Sequence, residues 1–163
     1  MEDLAEATGV PKATLYYHFA GKEEIVRSLF AQRGDEAEEL LEWVVRQPQT
    51  IDLVKAAVLR WVGSFSADKL HGLRFLSANP LLVRSLAAQG DNRIGSALAA
   101  LIDALVALLP HRTVADTLQL RMALLSINAA VEASAQGDFT DEEIVAAAHR
   151  SAAVLVDALV ERD

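Results

Sequence analysis

Apolar positions along the chain recur at intervals of three and four residues, the spacing of helices with one face turned inward, and alternating strand runs are absent. Glycine, proline and short polar clusters divide this pattern into segments. A short helix is predicted over 2–8, stopped by Gly9. A second is predicted over 11–19, opened by Pro11, whose missing N–H would be unpaired there anyway, and ended at Ala20-Gly21. A long third helix spans 22–45, with Leu29, Phe30, Ala37, Leu40, Leu41 and Val44 as its core stripe and Pro48 as its stop. Thr50 or Asp52 caps the next, which carries Trp61, Val62 and Phe65. Asp68 begins a short helix reaching Ser77, and Pro80 opens another after a break at Asn79. Beyond Gly90, Asp91 or Asn92 caps a helix that closes at Pro110-His111. Thr113 caps a helix to 136. Thr140 and Glu143 form a capping box that opens the last helix, 141–160. The pattern thus predicts an all-α fold of about nine helices.

Composition narrows the function. Hydrophobic residues make up 52% of 163 residues and charged ones 23%, the balance of a soluble globular chain. Cysteine is absent, which excludes disulfides, thiol catalysis and thiolate metal sites. No apolar run approaches the about 18 residues of a membrane span; the longest, 97–109, is interrupted by Asp103. The acidic start, Met1-Glu2-Asp3, lacks the basic lead of a secretory signal. A cytoplasmic protein without membrane contact is expected. His18, His71, His111 and His149 lie on separate elements without metal-ligand spacing, and no Gly-rich phosphate loop occurs. No enzyme activity, cofactor or metal is therefore expected.

The chemistry concentrates in residues 3–22, DLAEATGVPKATLYYHFAGK. Two short helices joined by a tight turn at Gly9 form a helix-turn-helix pattern. Leu4, Ala5, Val10, Leu15 and Phe19 would hold the pair together. Lys12, Ala13, Thr14, Tyr16, Tyr17 and His18 are left for the outer surfaces. A second helix of this kind lies in the DNA major groove with its N-terminal residues at base edges. Lys12 is placed to donate to a guanine or a phosphate, and Thr14, Tyr17, His18 and Lys22 to phosphates, which fix register. The net charge of −8 opposes DNA binding, but residues 1–33 carry four Lys/Arg against five Asp/Glu, so the acidity resides mainly in the body.

The run Gly9, Thr14-Leu15-Tyr16, Tyr17, His18, Phe19 and Lys22 resembles the signature of the TetR family of transcriptional regulators. The resemblance implies a helix-turn-helix DNA-binding domain over 1–33 and a helical ligand-binding and dimerisation domain over 34–163. It implies a repressor that binds a double-stranded DNA operator and answers to a small-molecule effector. Pro11, Lys12, Ala13, Thr14, Tyr16, Tyr17, His18 and Lys22 fall on the family's DNA-contacting positions, and Leu15 and Phe19 on its core positions. Family members carry a further helix ahead of the first one seen here. Without it, Leu4, Ala5, Ile25 and Leu29 lose a packing partner. Exposing about 100–200 Å² of apolar surface costs about 2.5–5 kcal/mol, so weak operator binding is expected of the chain as numbered. The alternative expectation is a helical dimerisation and ligand-binding module that has lost DNA binding.

In the body, Leu118, Met122, Leu125, Ala129 and Glu132 form one stripe at helical spacing, and Ile144, Ala148, Ala152, Leu155, Val156 and Leu159 form another. Two such C-terminal helices, 113–136 and 141–160, predict a four-helix bundle across a two-fold axis, hence a homodimer. Trp61, Phe65, Phe75, Met122 and Asn128 are the candidate pocket residues for an amphiphilic or aromatic effector.

Overall fold

The computed structural model describes residues 12–89 and 93–161, with side chains from residue 21 onward. Among the described residues there are eight α-helices, one 3-10 turn and no strand. The helices are α1 Lys12–Arg46, α2 Asp52–Gly63, α3 Ala67–Ala78, α4 Pro80–Ala88, α5 Arg93–Val106, α6 Val114–Leu124, α7 Ser126–Ala133 and α8 Asp141–Val160, with the 3-10 turn Ser134–Gln136 after α7. The helix expected over 2–8 lies outside the described residues.

The expected break at Ala20-Gly21 is corrected: α1 runs through it without interruption for 35 residues, about 50 Å at 1.5 Å per residue. A glycine inside a helix costs only about 1 kcal/mol relative to alanine, and no proline follows until Pro48. Among the described residues nothing lies within 4 Å of where a Gly21 Cβ would stand, so none of them holds a turn there. The helix expected over 113–136 is likewise divided. It pauses at Leu125, which has φ −90° and ψ 4°, and tightens into the 3-10 turn at Ser134. The Leu125 N–H still donates to the Arg121 carbonyl at 2.9 Å, so the pause is a kink, not an end.

Start signals fare better. The Thr140 hydroxyl accepts from the Glu143 N–H at 3.2 Å while the Glu143 carboxylate accepts from the Thr140 N–H at 2.8 Å. Thr113 and Asp116 repeat the arrangement at the head of α6. Pro80 occupies the first turn of α4. Neither Thr50 nor Asp52 caps α2. Ile51 stands at the cap position without a side-chain bond, because backbone bonds from Leu53 to Thr50 and from Val54 to Ile51 already turn the chain.

The last helix, α8, packs against α2, α6 and α7, while the long α1 packs chiefly on α5. Ile144, Ala148, Ala152, Val156 and Leu159 of α8 are all buried within the protomer. They join Val54, Val58 and Val62 of α2 and Leu120 and Leu124 of α6 in the main core. Full burial of one such side chain contributes about 1.5–3 kcal/mol. A second cluster, Val26, Phe30 and Leu86 with Phe75, Val83 and Ile94 against it, ties the upstream half of α1 to α4 and α5.

α1 passes close to α5 at Gly34. A Cβ there would stand 2.9 Å from Arg93 Cγ and 3.3 Å from the Arg93 carbonyl carbon. Arg93 then reaches back to α1, with Nη2 2.6 Å from Asp35 and 2.8 Å from Glu38. That hydrogen bond holds the Glu38 carboxyl below its ordinary pKa and lifts that of Arg93. Gly34→Val is expected to cost about 2 kcal/mol through overpacking and to lower Tm by about 4–8 °C. Gly34→Ala is expected to stay near wild type, because its helix propensity offsets the close contact. Thermal melts of the two variants check this.

Candidate functional site

Residues 12–18, with the sequence-predicted contacts Lys12, Ala13, Thr14, Tyr16, Tyr17 and His18, form the first two turns of α1. Pro11 lies outside the described residues. Lys22 follows on the same helix and is half-buried. All of the described candidates therefore sit at one end of a single rod whose other half is anchored in the body. Ile25, just beyond, is 47% exposed, whereas Leu29 rests against Gly72 of α3.

Beside the middle of this rod lies a cavity of about 400 Å³. Phe30 and Arg33 of α1, Trp61 of α2, Leu73 of α3, Arg84 of α4, Leu98 of α5 and Asn128 of α7 all contribute to its wall. Its size falls within the range of small-molecule sites, about 300–1,000 Å³. Of the predicted pocket residues, the structure brings Trp61, Phe65 and Asn128 together around it. Phe65 does so from beyond the end of α2, not along it as expected. Phe75 packs in the cluster at Val26 and Phe30. Met122 is 52% exposed on the outer side of α6 and is not part of the lining.

Sequence reasoning missed the cavity's two arginines. Arg33 is 5% exposed. Its guanidinium carbon lies 4.1 Å from the Trp61 ring centre and 4.0 Å from that of Phe65. The two rings meet edge to face at 6.1 Å, and a cation over aromatic faces is favourable when desolvated. Nη1 donates to Glu36, whose other oxygen is 3.2 Å from Lys69 Nζ. Nη2 is buried and has no hydrogen-bond partner. Burial pulls the Arg33 pKa down to about 10, opposed by the Glu36 carboxylate, so the group is still cationic at neutral pH. A sequence signal did exist. Val26, Phe30, Arg33, Ala37, Leu40 and Val44 follow a strict four-three spacing, so Arg33 occupies a core position.

The other polar candidates of the middle helices have ordinary roles. His71 Nδ1 lies 2.9 Å from the Ala67 carbonyl, Arg74 pairs with Asp141 at 2.6 Å, and Asn79 donates to the Phe75 carbonyl at 2.8 Å. Among the described residues no group of His, Asp or Glu could hold a metal ion, and no described helix is long and apolar enough to cross a membrane.

The described residues form an all-helical body whose long first helix opens with the Lys-Ala-Thr-Leu-Tyr-Tyr-His-Phe segment. Residues 1–29 match the family model of the bacterial regulatory proteins, tetR family. That segment is therefore similar to the N-terminal part of TetR family regulators. No curated protein matches it.

Proposed function

We propose that the chain is a homodimeric cytoplasmic repressor whose hold on an operator is set by a small molecule in the cavity. The observation that carries this reading is the position of the cavity. It is walled by Phe30 and Arg33 of the same helix that begins in the family-matched segment. In this reading residues 1–33 are the DNA-binding unit and 34–163 the sensing and dimerising unit. Val83 of α4 and Ile94 of α5, both in the cavity wall, also pack against the cluster at Val26 and Phe30. A ligand that fits one placement of α4 better than another shifts the population of α1 orientations. Two recognition helices must stand about 34–36 Å apart to enter successive major grooves, so a small tilt of a rod this long decides binding.

The proposed DNA contacts are Pro11, Lys12, Ala13, Thr14, Tyr16, Tyr17, His18 and Lys22. Dimerisation is assigned to the segments 113–136 and 141–160. The expected α8 stripe is used up inside the protomer, but Val114, Leu118, Met122 and Leu125 on the α6 side and Val154 on α8 are large apolar side chains left exposed. Tyr17→Ala and Lys22→Ala are each expected to weaken binding of the full-length protein to its selected duplex about tenfold, near the low end of a 1–3 kcal/mol contact. Lys22→Ala should also flatten the salt dependence. Affinities that do not change would remove these residues from the interface. Circular dichroism should show the fold intact in both variants.

A further inference from the structure

The charges around the cavity say more than its volume does. The chain carries 23 acidic against 15 basic side chains. Yet among the described residues the cavity wall contains two arginines, Arg33 and Arg84, and no carboxylate. Most of the remaining wall is apolar, with Phe30, Leu73 and Leu98 among it, and Ser77 and Asn128 add neutral polar groups. Glu36, the one acid paired with Arg33, is shared with Lys69, so that cluster keeps an excess positive charge. Arg33 Nη2 is buried without a partner, a costly state for a charged group. A neutral ligand would leave this excess uncompensated, and a cationic one would be repelled.

We propose that the cavity takes an organic anion, a carboxylate carried on an apolar body. The carboxylate answers Arg33 and Arg84, and the apolar body lies along Phe30, Leu73 and Leu98. Guanidinium groups suit this partner because they offer paired donors to its two oxygens, and charge attraction is strong where water is displaced. The proposal rests on the reading of the cavity as the effector site.

Trp43 and Trp61 are the two tryptophans, so a Trp43→Phe protein leaves Trp61, in the cavity wall, as the fluorescent reporter. The full-length protein is titrated with dodecanoate, dodecanol and the neutral dye Nile red, each below its aggregation concentration. The expected result is quenching of Trp61 by dodecanoate at least tenfold tighter than by dodecanol. Arg84→Gln and Arg33→Met should each remove most of that preference while dodecanol affinity holds. If Arg33→Met does not fold, Arg84→Gln decides alone. Equal affinity for acid and alcohol, or an acid preference that survives Arg84→Gln, overturns the anion proposal and leaves the cavity reading standing. If none of the three probes reaches Trp61, both readings fall.

Discussion

Trp61→Ala is expected to cost about 3–5 kcal/mol of stability, the range for truncating a buried large aromatic, and to lower Tm by roughly 6–20 °C. Trp61 is 4% exposed. It faces Phe65 at 6.1 Å and covers one face of the Arg33 guanidinium at 4.1 Å. Truncation removes its burial, one ring from the stack over a buried charge, and part of the cavity wall together. Trp61→Phe keeps a ring over Arg33 and is expected to lose less than half as much. Arg33→Met provides the contrast. Replacing a buried ion pair with apolar groups is often neutral or stabilising, whereas removing one partner is costly when it strands a buried charge; here the partner left behind, Glu36, is only partly buried and keeps Lys69 at 3.2 Å. Arg33→Met is therefore expected to melt at or above the wild-type temperature. Thermal denaturation followed at 222 nm measures all three. A wild-type melt for Trp61→Ala, or a large loss for Arg33→Met, would contradict this account of the cavity wall. A stable Arg33→Met protein means that the arginine is kept for what enters the cavity and not for the fold.

Leu118→Arg is expected to raise the dimer dissociation constant at least a hundredfold, about 2.7 kcal/mol. Leu118 is 58% exposed on the protomer, between Val114 at 88% and Met122 at 52%, and all three fall at four-residue spacing on one face of α6. Across a two-fold axis the same patch meets its own copy, so one substitution places two guanidinium groups in one interface. Both would be desolvated, and they would repel each other. The protomer itself should fold normally, because the side chain is exposed there. Operator affinity should fall with dimerisation, since one protomer engages only one half-site. Sedimentation analysis over a concentration series checks this; an unchanged dimer would place the interface on another face.

The features legible in the sequence were those written in a few adjacent residues. Thr140 with Glu143, Thr113 as a cap and Pro80 at a first turn each satisfy orphan backbone groups locally, and the structure uses all three. The expected α1 stop at Ala20-Gly21 fails because a glycine ends a helix only where other contacts favour a turn, and Gly21 has none nearby among the described residues. The kink at Leu125 has no local signal. The cavity was half legible. Trp61, Phe65 and Asn128 stood out as large or polar residues on apolar helices, and they line it. Met122 stood out equally but points outward, since helical spacing alone does not say which of two apolar faces turns inward. Arg33 was readable as a charge on a core stripe, but its significance depends on rings that arrive from α2 and from the segment after it.

The most direct test of the central claim is selection of duplex DNA from a random pool by the full-length protein, with stoichiometry measured on the enriched site. A TetR-type regulator should enrich a near-palindromic sequence whose half-site centres lie about one helical turn, or a multiple of it, apart, and bind it with at least two protomers per site. Failure to enrich any sequence, with the helical body folded and dimeric, would contradict the claim and leave a helical module without operator recognition.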